Sequence, residues 1–386
     1  MPFYVSRGNI PPKRHIQHRD AQGNLYHEEH ASREGFSSIY SNLYHLRPPT
    51  RISEVGEFKT IKYSALENQK HRHRHLETFK FEPKGNWVTG RRLLAFNNDV
   101  ALMSVRPEKE GEFFYRNGVG DEVIFVHHGK GVLRSVFGKL PYGPGDYIVI
   151  PRGIQYRLET DGQDNRFFII ESAGIIEPPR RYRNEYGQLL EHAPFCERDF
   201  RVPDFEEAVD ETGKFPFWLK LAHGIQEYTL AQNPFDVVGW DGFYYPWIFN
   251  IKDFMSIVGR IHQPPPVHQT FQAPGFVVCS FCPRLYDFHE KSIPAPYNHS
   301  NIDSDEVLYY VEGDFMSRKG VSEGSITIHP YGIAHGPQPG RYEGSIGKKA
   351  TDEYAVMVDT FRPLTIAREA NDIDDPHYPY SWIDDK

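Results

Sequence analysis

Two imidazoles and a carboxylate fall in this chain at a spacing that suits metal chemistry. His299 and Glu306 lie in "HSNIDSDEVLYYVEG", and His335 closes "GSITIHPYGIAH". Three ligands on one face of a metal leave positions open for a chelating substrate and O2, as in non-haem Fe(II) oxygenases. Closed structural zinc sites use four ligands, often thiolates, and no Cys accompanies this set. Both segments have earlier counterparts. "YRNGVGDEVIFVHHG" overlays the first without a gap, with Asn117 on Asn301, Asp121 on Asp305, Glu122 on Glu306 and Gly129 on Gly313. "GDYIVIPRGIQY" overlays the second through Gly145, Pro151 and Gly153. Tyr115 and Tyr156 replace the two histidines there, and a neutral phenol is a poor ligand for a divalent metal. The early copy reads as a retired site kept for packing, and the late copy as a working one.

The elements that carry these residues read as strands. "EVIFVHH", "GDYIVIP", "RFFIIESAG", "GFVVCSF" and "YAVMVDTF" are apolar runs of strand length bounded by turn residues. An aromatic content of 14%, with 30 Pro and 32 Gly, suits many short strands and turns. The best helix signal is "PDFEEAVDETG", with Pro203 and acids near its start. Residues 1–60 read as polar and turn-rich, and about 175–235 as a charged connector. The expected division is 1–236, with the degenerate unit and connector, and 237–386, with the metal-binding unit.

Composition narrows the function classes. A net charge of -8 disfavours a general nucleic-acid binder. No run approaches the roughly 20 apolar residues of a membrane span. The N-terminal stretch lacks a secretory apolar core. Cys196, Cys279 and Cys282 form no disulfide framework, so a cytoplasmic, soluble protein is expected. Other tempting groups read as structural. "HRHRH", residues 71–75, is expected to be a solvated basic edge, and "HEEH", residues 27–30, lacks zinc-protease spacing. Strand alternation would point Cys279 and Cys282 to opposite faces, which favours core packing. His127 and His128 are expected to pack or to face solvent.

Both motifs, in order and in two copies, resemble the cupin superfamily. That resemblance implies a mainly β bicupin, a duplicated double-stranded β-helix or jelly roll. Its N-terminal cupin would be degenerate and its C-terminal cupin metal-binding. The stretches "IPPKRHIQHRD", "NLYHEEHASREGFSSIYSNLYH", "NPFDVVGWDGFYYPWIFNIKDFM", "PAPYNHSN" and "IAHGP" further resemble the homogentisate 1,2-dioxygenase family, from about residue 2 to 365. The likeness is greatest to the shorter bacterial members.

The family resemblance implies Fe(II) held by His299, Glu306 and His335. It implies His262 in "GRIHQPPP" as the acid/base group, with His268 as the alternative. Tyr297, Phe315, His329 and His335 would contact substrate. The small aromatic homogentisate and O2 would give maleylacetoacetate in tyrosine and phenylalanine catabolism, within a homo-oligomer, trimer or hexamer. No nucleic acid or membrane partner is implied. Two features depart from the family pattern. The spacing from His299 to Glu306 is one residue longer than in animal-type members. Phe315 stands where many members have a tyrosine, which leaves gentisate or a hydroquinone as alternative substrates. A non-catalytic bicupin, with the His–Glu set as structure, is the reading from another class.

Overall fold

The computed structural model describes residues 2–162, 164–315 and 318–383. Asp121–His128, Asp146–Ile150 and Arg166–Ser172 are buried along nearly their whole length, not on alternate residues. A strand buried at every position is covered on both faces. These three lie at the centre of an eight-stranded sheet that also holds Trp247–Asn250, Val100–Val105 and Arg92–Phe96. One face meets a seven-stranded sheet containing Phe114–Asn117, Gly131–Ser135 and Gln155–Thr160, which completes the early unit. The other face packs on the second unit. Phe125 and Phe168 meet Tyr309, Tyr147 meets Phe271, and the Tyr147 hydroxyl lies 2.9 Å from Ser280 Oγ.

The second unit is built on a six-stranded sheet in the order Gln269–Ala273, Phe276–Phe281, Glu353–Thr360, Glu306–Gly313, Ser325–His329, Arg74–Glu77. Alternation sends Tyr309 and Val311 of Glu306–Gly313 toward the first unit, and Glu306, Leu308 and Tyr310 into the second unit's cavity. The layout is the expected mainly β bicupin. The chain also passes across the division expected at residue 236. Arg74–Glu77 joins the late unit's sheet, and Thr365–Ile366 closes the early unit's sheet.

The repeat is visible in the backbone. Tyr115 and Tyr156 are direct antiparallel partners, and His299 and His335 form the corresponding bridge, with N–H···O distances of 2.8 and 2.9 Å. The motif glycines Gly129 and Gly313 both adopt left-handed φ, +89° and +105°. At Gly313 a Cβ would lie 2.0 Å from the Asp352 carbonyl oxygen, so only glycine fits.

Several expectations are corrected. The stretch from Pro203 is extended, not helical. Asp204 bridges Lys139, Glu206 pairs with Arg134, and the Val209 amide donates to Phe235, so long-range partners override the local helix signal. The supposed connector contains the long hairpin Thr212–Leu221 and Gly224–Gln232, and Ile52–Thr60 pairs with it. The first sixty residues also supply Val5–Gly8, His27–Ser32 and Tyr40–His45 to a four-stranded sheet. The "HRHRH" tract is not a solvated edge. His73, Arg74 and His75 are buried because the segment pairs with Ser325–His329, and Arg72 and Arg74 both bind Asp374. Among the described residues, no helix is long and apolar enough to cross a membrane.

Candidate metal centre and its cavity

His299, Glu306 and His335 converge, with one ligand atom from each lying within 4.8 Å of the other two. Glu306 begins its strand, while the backbone bridge between His299 and His335 holds the imidazoles opposite it. His299 Nδ1 lies 3.2 Å from the Tyr297 carbonyl oxygen, and His335 Nδ1 lies 3.4 Å from that of Ile333. A carbonyl only accepts, so each Nδ1 carries a proton and Nε2 is the nitrogen each ring turns toward Glu306 and would offer to a metal. Both Nε2 atoms lie 3.6 Å from a Glu306 oxygen. His335 Nε2 is shielded from solvent and has no hydrogen-bond partner among the described residues. Two imidazole lone pairs and a carboxylate with one inward-facing orphan form a donor set that fits a divalent metal.

His329 stands behind this set. It is fully buried, and its Nδ1 lies 2.7 Å from Glu306 Oε1 and its Nε2 3.2 Å from the Tyr378 hydroxyl. Burial and the Arg318 charge push its pKa down to about 3, so the ring is neutral. Its single proton therefore sits on Nδ1 and is donated to Glu306, while Nε2 accepts from Tyr378. Burial raises the pKa of Glu306, but the imidazoles of His299, His329 and His335 outweigh it and hold the carboxyl well below the ordinary range. The ligand is ionised, as coordination needs.

A cavity of about 530 Å³ opens beside the set, its lining including His262, Tyr297, His299, Glu306, Tyr310 and Asp359. His262 is half-exposed at the rim, with Nδ1 3.0 Å from Asp287 Oδ2. The Asp287 carboxylate accepts from Nδ1 and so fixes the ring with Nε2 turned away from it. His268 also reaches the cavity but is buried against Phe281, and burial with the Arg284 charge pushes it down to about 3. Tyr297 lines the cavity beside His262, their ring centroids 5.3 Å apart. Phe315, His329 and His335 do not line it, and Phe315 packs edge-on against Tyr310. The sequence reading missed Asp287, Tyr310, Tyr378 and Asp359. For Asp359 a signal existed, because "FIIES", residues 168–172, and "VMVDT", residues 356–360, extend the repeat and align Glu171 with Asp359.

The early copy holds the same geometry with other chemistry. The Tyr156 hydroxyl donates to Glu122 Oε2 at 2.7 Å, and Arg91 forms an ion pair with the other oxygen. The Arg91 guanidinium also lies 5.7 Å from the centre of the Tyr115 ring. A fixed internal cation thus neutralises the carboxylate that aligns with Glu306. A second His–His–Glu group, His127, His128 and Glu323, is not equivalent. Both ring nitrogens of His127 are engaged, by the Tyr309 hydroxyl at 2.6 Å and the Val311 carbonyl at 3.0 Å.

Comparison with known proteins agrees with this architecture. The family model described as homogentisate 1,2-dioxygenase N-terminal matches residues 38–251. A Saccharolobus solfataricus protein named provisionally as a dioxygenase is 42% identical over 385 residues, covering 99% of each chain. Homogentisate 1,2-dioxygenase of Emericella nidulans is 26% identical, over 70% of this chain and 63% of its own. That of Rhodopseudomonas palustris is 27% identical, over 68% and 61%. The match therefore spans about three-fifths of these two relatives' length. The chain belongs to the homogentisate 1,2-dioxygenase N-terminal family.

Proposed function

We propose that this chain is an Fe(II)-dependent dioxygenase that opens the ring of homogentisate to maleylacetoacetate. The observation that carries the reading is the convergence of two imidazoles and one ionised carboxylate, with His299 and Glu306 of that set lining a cavity large enough for an aromatic ring. Fe(II) held by His299, Glu306 and His335 supplies the redox chemistry that joins O2 to an electron-rich ring. Both oxygen atoms enter the product, so the reaction consumes no external reductant. The chain's own residues do the rest. His262, oriented by Asp287, accepts the proton of a ring hydroxyl at Nε2. The low pKa of His268 makes it a poor acceptor at neutral pH, which favours His262 as the base. Tyr297 flanks the ring, and His329 holds Glu306 in place. Apolar floor residues Leu308, Ala355 and Met357 limit water at the ring.

Gentisate or another para-dihydroxy aromatic is the second reading, because the same His–His–Glu set and cavity would take any ring of that class. Oxygen uptake by anaerobically Fe(II)-loaded protein separates the two. Homogentisate is expected to drive uptake with the absorbance of a ring-opened product. Uptake with gentisate alone, or with neither, refutes the homogentisate assignment.

A further inference from the structure

Asp359 stands directly across the strand pair from Glu306, and both face the cavity. Its Oδ1 is shielded from solvent and has no hydrogen-bond partner among the described residues. Its neighbours on the cavity floor, Leu308, Met357 and Ala355, are apolar. A polar group in that position calls for a partner.

The duplication supplies an internal control. Glu171 stands across from Glu122 in the early copy exactly where the register puts Asp359 across from Glu306. There the second acid is fully matched. Lys220 Nζ donates to Glu171 at 2.6 Å, Asn117 Nδ2 at 2.7 Å and the Tyr63 hydroxyl at 3.3 Å. Lys220 comes from Thr212–Leu221, which pairs with Phe114–Asn117 in the early unit. The late unit retains the acid, and Asp359 lines the cavity with its Oδ1 unmatched among the described residues.

We propose that Asp359 exchanges a hydrogen bond with a ring hydroxyl of the bound substrate, and thereby selects hydroxylated aromatics over analogues that lack the hydroxyl. The inference rests on the reading of this cavity as an aromatic-ring site. A ring without the hydroxyl leaves Asp359 unmatched on an apolar floor, which is the arrangement that gives polar sites their discrimination. Asp359 is then a substrate-contacting, specificity-determining residue, distinct in role from the metal ligands.

The test uses zinc-loaded protein, which binds substrates without turnover, and calorimetry with two pairs of compounds. These are homogentisate against phenylacetate and gentisate against benzoate. The variants are Asp359→Asn, which keeps the shape and an acceptor oxygen, and Asp359→Ala. Asp359→Ala is expected to weaken the hydroxylated member about tenfold or more and to leave the deoxy member within about twofold. Asp359→Asn should fall between, and both variants should keep the zinc content of the parent. Equal losses for both members, no loss, or loss of zinc in Asp359→Asn each overturn the proposal. If gentisate binds and homogentisate does not, the homogentisate reading fails while the gentisate pair still decides Asp359. If neither hydroxylated compound binds the parent protein, both fall together.

Discussion

Replacing Arg91 by methionine tests the idea that an internal cation stands in for a metal in the early copy. Arg91 and Glu122 have side chains only 7% and 0% exposed, so water cannot replace the lost charge. Methionine keeps the apolar stem but leaves a buried carboxylate with the Tyr156 hydroxyl as its remaining close donor. Removing one member of a buried ion pair costs about 3–5 kcal/mol. The bond from Arg91 Nε to the Trp87 carbonyl is lost too, at about 1 kcal/mol. At about 2–4 °C per kcal/mol for a cooperative unit of 150–250 residues, the thermal midpoint should fall by about 8–24 °C. Arg91→Met combined with Glu122→Gln removes both charges and should recover about 2 kcal/mol or more of that loss, which a double-mutant cycle in urea measures directly. Metal content should stay at the parental value throughout. A single-variant cost below about 1 kcal/mol refutes the reasoning, because an unmatched buried carboxylate cannot be that cheap. A double variant no better than the single would do the same.

Further outcomes follow from the same contacts. His335→Ala should lose bound metal with its fold retained by circular dichroism, whereas Tyr156→Phe should keep the metal and lose stability; matching metal loss in both contradicts the contrast between the copies. Tyr378→Phe removes the donor to His329 Nε2 and should weaken metal affinity by about 10–100-fold in competition with a chelator. Unchanged affinity would exclude His329 as a bridge between Tyr378 and Glu306. Burial disfavours a charged His45, but its hydrogen bonds to Asp236 and Glu29, at 2.7 and 3.0 Å, raise it to about 9. The folded state therefore binds the proton more tightly than the unfolded chain, so this contribution is complete below pH ~6.5 and disappears as pH rises through about 9. Its size is about 3 kcal/mol, and urea midpoints at pH 6 and 10 should differ in that direction for the parent and much less for His45→Gln.

The sequence by itself determined the duplication and its asymmetry. Motif residues keep a constant spacing, and the glycines at left-handed φ hold that spacing in both copies. Strand alternation then carries His299, Glu306 and His335 to one place, and Tyr115, Glu122 and Tyr156 to the matching one. Long apolar runs such as "EVIFVHH" marked the central strands for the same local reason. Tertiary structure alone decided what each copy of the acid pair meets. Arg91 and Lys220 reach the early copy from segments far from its motifs, and no local pattern announces such a meeting. The burial of "HRHRH" was equally non-local, since its partner strand Ser325–His329 lies some 250 residues away. The stretch from Pro203 shows the converse, where a genuine helix signal yields to partners at Lys139 and Arg134. Spacing along the chain is a local property and survives in the sequence. The charge that neutralises a buried acid is chosen by whichever distant segment packs against it.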